Sequence, residues 1–291
     1  MLVTAVITTH KRPCALVERA IHSVINQTHK EMEIIVVDDS PSDYEKRSDI
    51  KRMVESYRDY NVIYVAHENC KGACAARNTG LTVAKGGYIG FLDDDDEWLP
   101  EKTEEQLKGF TSKEVALVYC GNKTIYDNTG KVSEHKTLFI NENVYEKLMY
   151  ENFVGSTSFP LLRTEALREI GGFDVEMQSA QDYDVWLRLA QKYSINFVDK
   201  PLVLYHFHEG EQITKNPRKK IAGLERIISK NFDFLEKHRD AYWVNYMGLI
   251  PWYVLDNNRK KAFSIWIKTV FKAPFKILDN ARFLYAIVKK R

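Results

Sequence analysis

The residues with the greatest chemical capacity are aspartates, and they come in two groups, each directly after a short apolar run. Residues 33–37 lead into Asp38 and Asp39, and residues 88–92 lead into Asp93, Asp94, Asp95 and Asp96. Four adjacent carboxylates repel one another, and capping a turn or helix needs only one of them. A divalent cation relieves that repulsion, and hard oxygen donors suit Mg²⁺ or Mn²⁺. The plainer alternative is a solvated acidic turn capping a helix that starts near Pro100.

Other candidates lie on either side of this run. Residues 72–80 open a helix after a strand without the Lys-Ser/Thr of a Walker loop or the G-x-G-x-x-G of a dinucleotide turn. Their small side chains let the helix pack closely on a sheet, and Arg77 is the exceptional member, a functional cation or half of a helix-face salt bridge. Asp182 and Asp184 flank Tyr183 ahead of an apolar helix face, where a carboxylate ordinarily caps the helix. His206 and His208 alternate with Tyr205 and Phe207, so their imidazoles share a face. Each alone is more often structural, but with an aspartate cluster they could complete a metal site. Serine hydrolysis finds no G-x-S-x-G elbow, which leaves Ser156 and Ser158 as loop residues.

Positioning these groups falls to an alternation in the first half of the chain. β-Branched runs at residues 3–7, 33–37, 62–65 and 88–92 alternate with amphipathic stretches at 15–26, 44–57 and 73–84. That reads as βαβαβαβ, a mainly parallel α/β sheet flanked by helices, whose strand carboxyl ends share one ligand-binding edge. Further strands are expected at 115–119, 124–126, 159–162 and 202–205, with a turn at 127–130 and helices at 164–170 and 182–192. From Pro217 onward every stretch reads helical, broken at Pro251 and Pro274. The expected domains are therefore 1–212, catalytic, and 213–291, a helical extension.

Composition bounds the rest. A chain of 291 residues with 44% hydrophobic content excludes disorder, collagen and small disulfide scaffolds. The net charge of +2 hides an asymmetry, because residues 210–291 carry 18 Lys/Arg against 7 Asp/Glu. An acidic body with a basic tail suits a metal- or sugar-handling domain on an anionic surface, although sign alone does not separate a membrane from nucleic acid. Cys14, Cys70, Cys74 and Cys120 include no C-x-x-C pair, which points to a reduced, cytoplasmic compartment. Apolar residues 2–7 are too few for a signal peptide, and no run of about 18 apolar residues predicts a spanning helix. In the tail, Phe263, Ile267, Val270 and Phe271 recur at helical spacing with Lys261, Lys268 and Lys272 on other faces. An interfacial helix on the inner face of the cell membrane has this pattern, and so does a helix packed on the catalytic body with solvated lysines. The interleaved aromatics favour the anionic membrane surface, and no nucleic acid partner is expected.

Taken in order, these segments resemble the family-2 glycosyltransferases, inverting GT-A enzymes that move a sugar from a nucleotide diphosphate. The resemblance covers roughly residues 2–212. It rests on Val3-Thr4-Ala5-Val6-Ile7-Thr8-Thr9-His10, on Ser23-Val24-Ile25-Asn26-Gln27-Thr28, on Ile35-Val36-Val37-Asp38-Asp39-Ser40 and on Gly72 to Gly80 with Arg77-Asn78 inside it. It continues through Phe91-Leu92-Asp93-Asp94-Asp95-Asp96-Glu97-Trp98-Leu99-Pro100, which matches a D-x-D segment, and Gly171-Gly172-Phe173-Asp174. It ends at Gln181-Asp182-Tyr183-Asp184-Val185-Trp186 and Tyr205-His206-Phe207-His208.

The resemblance implies a GT-A nucleotide-diphospho-sugar transferase fold and Mn²⁺ or Mg²⁺ as cofactor. It places Thr8, His10, Asp39, Arg77, Asp93 and Asp94 on the nucleotide-sugar, with Asp39 on the base and Arg77 beside the diphosphate. Asp95 and His208 fall on the metal, and Asp182 on the catalytic aspartate, with Gln181 in place of the usual glutamate. The implied donor is a nucleotide-diphospho-sugar, UDP-linked in the first instance, and the acceptor is a saccharide or lipid-linked saccharide of cell-surface polysaccharide synthesis. A catalytically inactive adaptor that binds a nucleotide-sugar or glycan in an assembly complex is the alternative. A phosphatase-like hydrolase built on the aspartates lacks a nucleophile-plus-acid pair with a following Ser/Thr and Lys.

Overall fold

Four short strands rich in Val and Ile form the heart of the sheet: β1 (Val3–Thr9), β2 (Met32–Asp38), β3 (Val62–Ala66) and β4 (Tyr88–Asp93). They run parallel in the order β3-β2-β1-β4, because helical crossovers return the chain in the same direction each time. Those crossovers are α1 (Cys14–Ile25), α2 (Arg47–Glu55) with a 3₁₀ turn at Arg58–Tyr60, and α3 (Ala73–Val83). The computed structural model describes residues 1–136, 142–207, 216–274 and 277–288.

Past β4 the chain forms β5 (Glu97–Trp98), α4 (Lys102–Lys108), β6 (Val115–Tyr126), β7 (Lys131–His135) and α5 (Val144–Leu148). It continues as β8 (Leu161–Arg163), α6 (Thr164–Glu169), α7 (Gln181–Ala190) and β9 (Ser194–Phe207). Antiparallel β8 joins β4 to β6, and the mixed sheet closes with β9 and β5. The two short strands expected at 115–119 and 124–126 are one strand, because Cys120, Gly121 and Asn122 keep their pairing with β9 through a register shift. The turn at 127–130 is where expected, but it opens a hairpin onto β7, whose polar sequence carried no strand signal. One apolar cluster on the face covered by α1 and α2 includes Ile7, Val17, Ile21, Ile34, Val36, Ile50 and Val54, each at most 1% exposed. Burial of this kind contributes about 25 cal/mol per Å².

The C-terminal helices are α8 (Pro217–Lys230), α9 (Phe232–Lys237), α10 (Arg239–Leu255), α11 (Arg259–Lys272) and α12 (Ile277–Val288). Asn216 caps α8 through the N–H groups of Arg218 and Lys219, with Pro217 at the first helical position where its missing N–H costs nothing. Pro274 separates α11 from α12, but Pro251 does not break its helix. One lost hydrogen bond is outweighed there by buried Met247, Leu249, Ile250 and Tyr253.

The chain divides into two compact units. The first holds Met1–Tyr145, Asn152–Val175 and Val185–Glu209, and the second holds Glu146–Glu151, Glu176–Asp184 and Gly210–Arg291. Among the described residues no helix is long and apolar enough to cross a membrane.

Candidate active site

β1 lies between β2 and β4, so its carboxyl end gathers both aspartate groups. Thr8 is in register with Val37 on one side and Asp93 on the other, and Thr9 with Asp38. Asp38 is spoken for, since Oδ1 accepts from the Ser40 N–H at 2.8 Å and Oδ2 from the Tyr64 hydroxyl at 2.8 Å. Asp39, one residue on, turns toward the segment at residues 67–72.

Asp39 is cradled from two directions. Its Oδ1 accepts from His67 Nδ1 at 2.7 Å and the Lys71 N–H at 2.7 Å, and its Oδ2 from the Gly72 N–H at 2.8 Å and the Cys70 thiol at 3.3 Å. A carboxylate only accepts, so His67 carries its proton on Nδ1 and takes the Thr79 hydroxyl, 2.8 Å away, on Nε2. Gly72 sits at φ +89°, the left-handed region that lets the 70–72 turn aim successive N–H groups at one carboxylate. Burial alone raises the Asp39 carboxyl, but donors from Lys71, His67 and Gly72 outweigh it and hold the group below the usual carboxylate range. His10 Nδ1 lies 2.9 Å from the Asp39 carbonyl oxygen, which places it beside the same residue.

Helix α3 supplies the cation. Gly80 faces Val6 so closely that a Cβ there would lie 2.3 Å from Val6 Cγ1, so only glycine lets α3 rest on β1 at this depth. One turn earlier Arg77, 8% exposed, donates from Nη2 to Asp93 Oδ1 at 2.8 Å. The helix-face salt bridge weighed from sequence and the cation at the sheet edge are thus the same contact.

The four aspartates alternate. Asp93 and Asp95 keep 32% and 21% of their side chains exposed, whereas Asp94 keeps 6% and Asp96 none. Asp94 pairs with Arg12 Nε at 3.0 Å, and burial lifts its carboxyl to about 7 against that guanidinium. Asp96 accepts from the Ser158 hydroxyl at 2.6 Å and the His206 N–H at 3.2 Å, and burial followed by the nearby charge of Asp93 pushes it well up. Asp95 Oδ2 meets Arg12 Nη2 at 2.7 Å, and its backbone oxygen accepts from Arg19. Asp93 also accepts from the Thr157 hydroxyl at 3.2 Å. The run caps no helix, since α4 begins after Glu101 without a side-chain cap. Two partly exposed carboxylates with one residue between them, backed by two buried ones, offer hard oxygen donors whose chemistry fits Mg²⁺ or Mn²⁺.

His206 does not complete a metal site. Its Nε2 lies 2.9 Å from Glu97 and its Nδ1 3.1 Å from Asp127, and the Glu97 bond, working against burial and with help from Asp127, raises its pKa. Flanked by carboxylates on both nitrogens, it ties Glu97 to Asp127. His208 lies outside the described residues. Asp182 belongs to the second unit, in the first turn of α7, where Oδ1 accepts the Tyr183 N–H at 2.7 Å. Its neighbour Asp184 is 1% exposed and pairs with Lys230 Nζ at 2.6 Å, a structural contact within that unit.

Thr8, His10, Asp39, Arg77, Asp93, Asp94 and Asp95 therefore come together on the first unit. Sequence reasoning missed Arg12, Arg19, His67, Thr157 and Ser158. For Ser158 the signal present was the Ser-Thr-Ser run after Gly155, set aside as a loop.

The family described as Glycosyl transferase family 2 matches residues 4–171. Escherichia coli K12 WcaA, described as a colanic acid biosynthesis glycosyl transferase, is 31% identical over 233 residues, covering 77% of each chain. WfgD of Escherichia coli, a UDP-Glc:α-D-GlcNAc-diphosphoundecaprenol β-1,3-glucosyltransferase, is 27% identical over 234 residues, covering 79% of this chain and 87% of that one. Among solved structures, the Pyrobaculum calidifontis mannosyltransferase PcManGT in complex with GDP-Man and Mn²⁺ superposes with TM-score 0.62 at 17% identity, over 99% of this chain and 86% of that one.

Proposed function

The chain belongs to glycosyl transferase family 2, a glycosyltransferase of the GT-A fold, and we propose that it transfers a sugar, with inversion, from a UDP-linked donor to a saccharide or lipid-linked saccharide acceptor in cell-surface polysaccharide synthesis. The observation that carries this reading is the alternation along the aspartate run, which turns Asp93 and Asp95 outward beside Arg77 while Asp94 and Asp96 anchor the turn from below. WfgD, whose printed activity uses UDP-Glc and a diphosphoundecaprenol-linked sugar, supports the donor and acceptor classes.

In this reading Asp39 accepts the imino N–H of the base on Oδ2. The Cys70 thiol bond is the longest of its four contacts and the most easily replaced. Thr8 and His10 line the same edge, Asp93 holds the ribose side, and Asp94 and Arg12 fix the turn. Arg77 stands beside the departing diphosphate, where a preorganised cation stabilises developing charge. Asp93 and Asp95 would hold Mn²⁺ or Mg²⁺, with His208 as a metal or phosphate contact, and the bound ion would neutralise charge on the leaving group. Asp182 takes the proton of the acceptor hydroxyl as general base, and a single base with direct displacement inverts the sugar.

The basic extension supports a peripheral seat on the inner face of the cell membrane. Helix α11 packs through Ala262, Ile265 and Thr269, and leaves Phe263 and Phe271 42% and 84% exposed among exposed Lys260, Lys261 and Lys268. Aromatic and basic groups on one exposed helix suit anionic lipid.

The test is a nucleotide-release screen of the chain with Mn²⁺ across UDP-, GDP- and dTDP-sugars, with and without a lipid-linked acceptor extract. Acceptor-dependent release from a UDP-sugar is expected. No release from any donor, with nucleotide binding confirmed, would leave a sugar-binding adaptor instead.

A further inference from the structure

The proposed catalysis leaves Cys70 unused, and it stands in unusual company. Its Sγ lies 3.3 Å from Asp39 Oδ2 and 3.9 Å from His10 Nδ1, and the three donor atoms all fall within 4.8 Å of one another. Cys70 and His10 are exposed, so an ion can reach them, and Asp39 beneath is held rigid by His67 and two backbone N–H groups.

We propose that Cys70, His10 and Asp39 form a second metal site, selective for Zn²⁺ or a similar borderline ion, whose occupation excludes the nucleotide base from the crevice. The exclusion rests on the assignment of Asp39 to the base. The metal site stands on geometry alone. A tetrahedral Zn²⁺ with bonds of about 2.3 Å to sulfur and about 2.0 Å to nitrogen and oxygen sets its sulfur about 3.5 Å from each other donor. The observed 3.3 and 3.9 Å bracket that value, and the third pair, within 4.8 Å, closes on the ion as the exposed His10 ring turns. Three protein donors leave a fourth position for water. The donor set, one sulfur, one nitrogen and one oxygen, differs in kind from the all-oxygen pair at Asp93 and Asp95, so the two sites sort ions by softness.

Binding needs no redox partner. The thiol proton leaves to solvent as the Zn–S bond forms, and the His10 proton moves from Nδ1, where it faces the Asp39 carbonyl, to Nε2 as Nδ1 turns to the metal. Because Oδ2 of Asp39 then faces the ion, the base loses its acceptor. With Zn²⁺ at ten times its dissociation constant, strict exclusion weakens a competing nucleoside about elevenfold.

The experiment titrates the full chain with Co²⁺, a spectroscopic stand-in for Zn²⁺, in excess Mg²⁺ to occupy the carboxylate pair. The readout is the near-ultraviolet cobalt–thiolate absorption. One equivalent of Co²⁺ should give the band, and Zn²⁺ should displace it. Cys70→Ser, which keeps an O–H donor toward Asp39, should lose the band and weaken Co²⁺ binding tenfold or more. Uridine, which has no phosphate to chelate the ion, should bleach the band as it binds. A wild type without the band, or a band that survives Cys70→Ser, overturns the site. A band lost in Cys70→Ser but unmoved by saturating uridine upholds the metal site and overturns the exclusion together with the placement of the base at Asp39.

Discussion

Asp39→Asn separates the cradle around Asp39 from a merely buried carboxylate. In the wild type Oδ1 accepts from His67 and the Lys71 N–H, and Oδ2 from the Gly72 N–H and the Cys70 thiol. The amide keeps Oδ1 as a neutral acceptor, so two charge-assisted bonds lose about half their strength, about 1 kcal/mol each. Its NH₂ group then points at the Gly72 N–H, and an N–H left without an acceptor costs about 1–3 kcal/mol. Removing a buried charge returns about 1–2 kcal/mol of desolvation, so the net loss of stability is about 1–4 kcal/mol. Urea denaturation at pH 7 reads it directly. The Asp39 carboxyl is held below its ordinary value of 3.8, so its contribution is complete above that pH and is lost as pH falls through the lower folded value. The gap between wild type and variant should therefore close in acid. A loss under about 0.5 kcal/mol at neutral pH, or a gap that persists in acid, refutes the cradle as an ionic, hydrogen-bonded anchor.

Four further outcomes are expected. Asp182→Asn should leave nucleotide binding nearly intact while turnover drops by about 10² or more, the scale of a general base; near wild-type turnover would reduce Asp182 to a helix-end carboxylate. Asp95→Ala should abolish the Mn²⁺-dependent part of nucleotide binding by calorimetry, and equal binding with and without the cation in the wild type would remove the metal from the reading. Lys102 is fully buried over the Trp98 ring and donates to Gln106, and burial lowers it to about 8, so the unfolded chain binds more protons between pH 8 and 10.5 and stability rises with pH across that window. Lys102→Met should thus stabilise the protein by about 1–2 kcal/mol at pH 7, after about 1 kcal/mol for the orphaned Gln106 oxygen, and the gain should vanish near pH 10.5 in urea denaturation. Replacing Lys260, Lys261 and Lys268 with Glu together should abolish flotation with anionic vesicles, and unchanged flotation would exclude α11 as the lipid contact.

The parallel half of the sheet was legible because its signals are local. β-Branched runs ending in aspartate announce both the strand and the edge where its side chains emerge, and parallel register brings Asp39 and Asp93 together without further information. Arg12 was not legible, because its partners Asp94 and Asp95 lie more than 80 residues on and nothing in Lys11-Arg12-Pro13 marks an ion pair. Ser158 is similar, reaching Asp96 from a distant loop, and for His206, singled out by its alternation, the partners Glu97 and Asp127 were the part that lay beyond local reading. The strand break expected near Gly121 failed because a glycine reads the same in a turn and in a bulge, and the pairing partner decides between them. Pro251 misled for the opposite reason, since a local penalty was set against burial that only the folded helix reveals.

Helix α3 touches both ends of the crevice. The Gly72 N–H at its start grips Asp39, and Arg77 near its middle grips Asp93. The helix therefore acts as a strut of fixed length between the place proposed for the base and the place proposed for the phosphates. Its height above the sheet is set at a third point, where Gly80 meets Val6. A change at that remote contact would tilt the strut as a whole, so affinity for the two halves of a nucleotide would rise or fall together rather than separately.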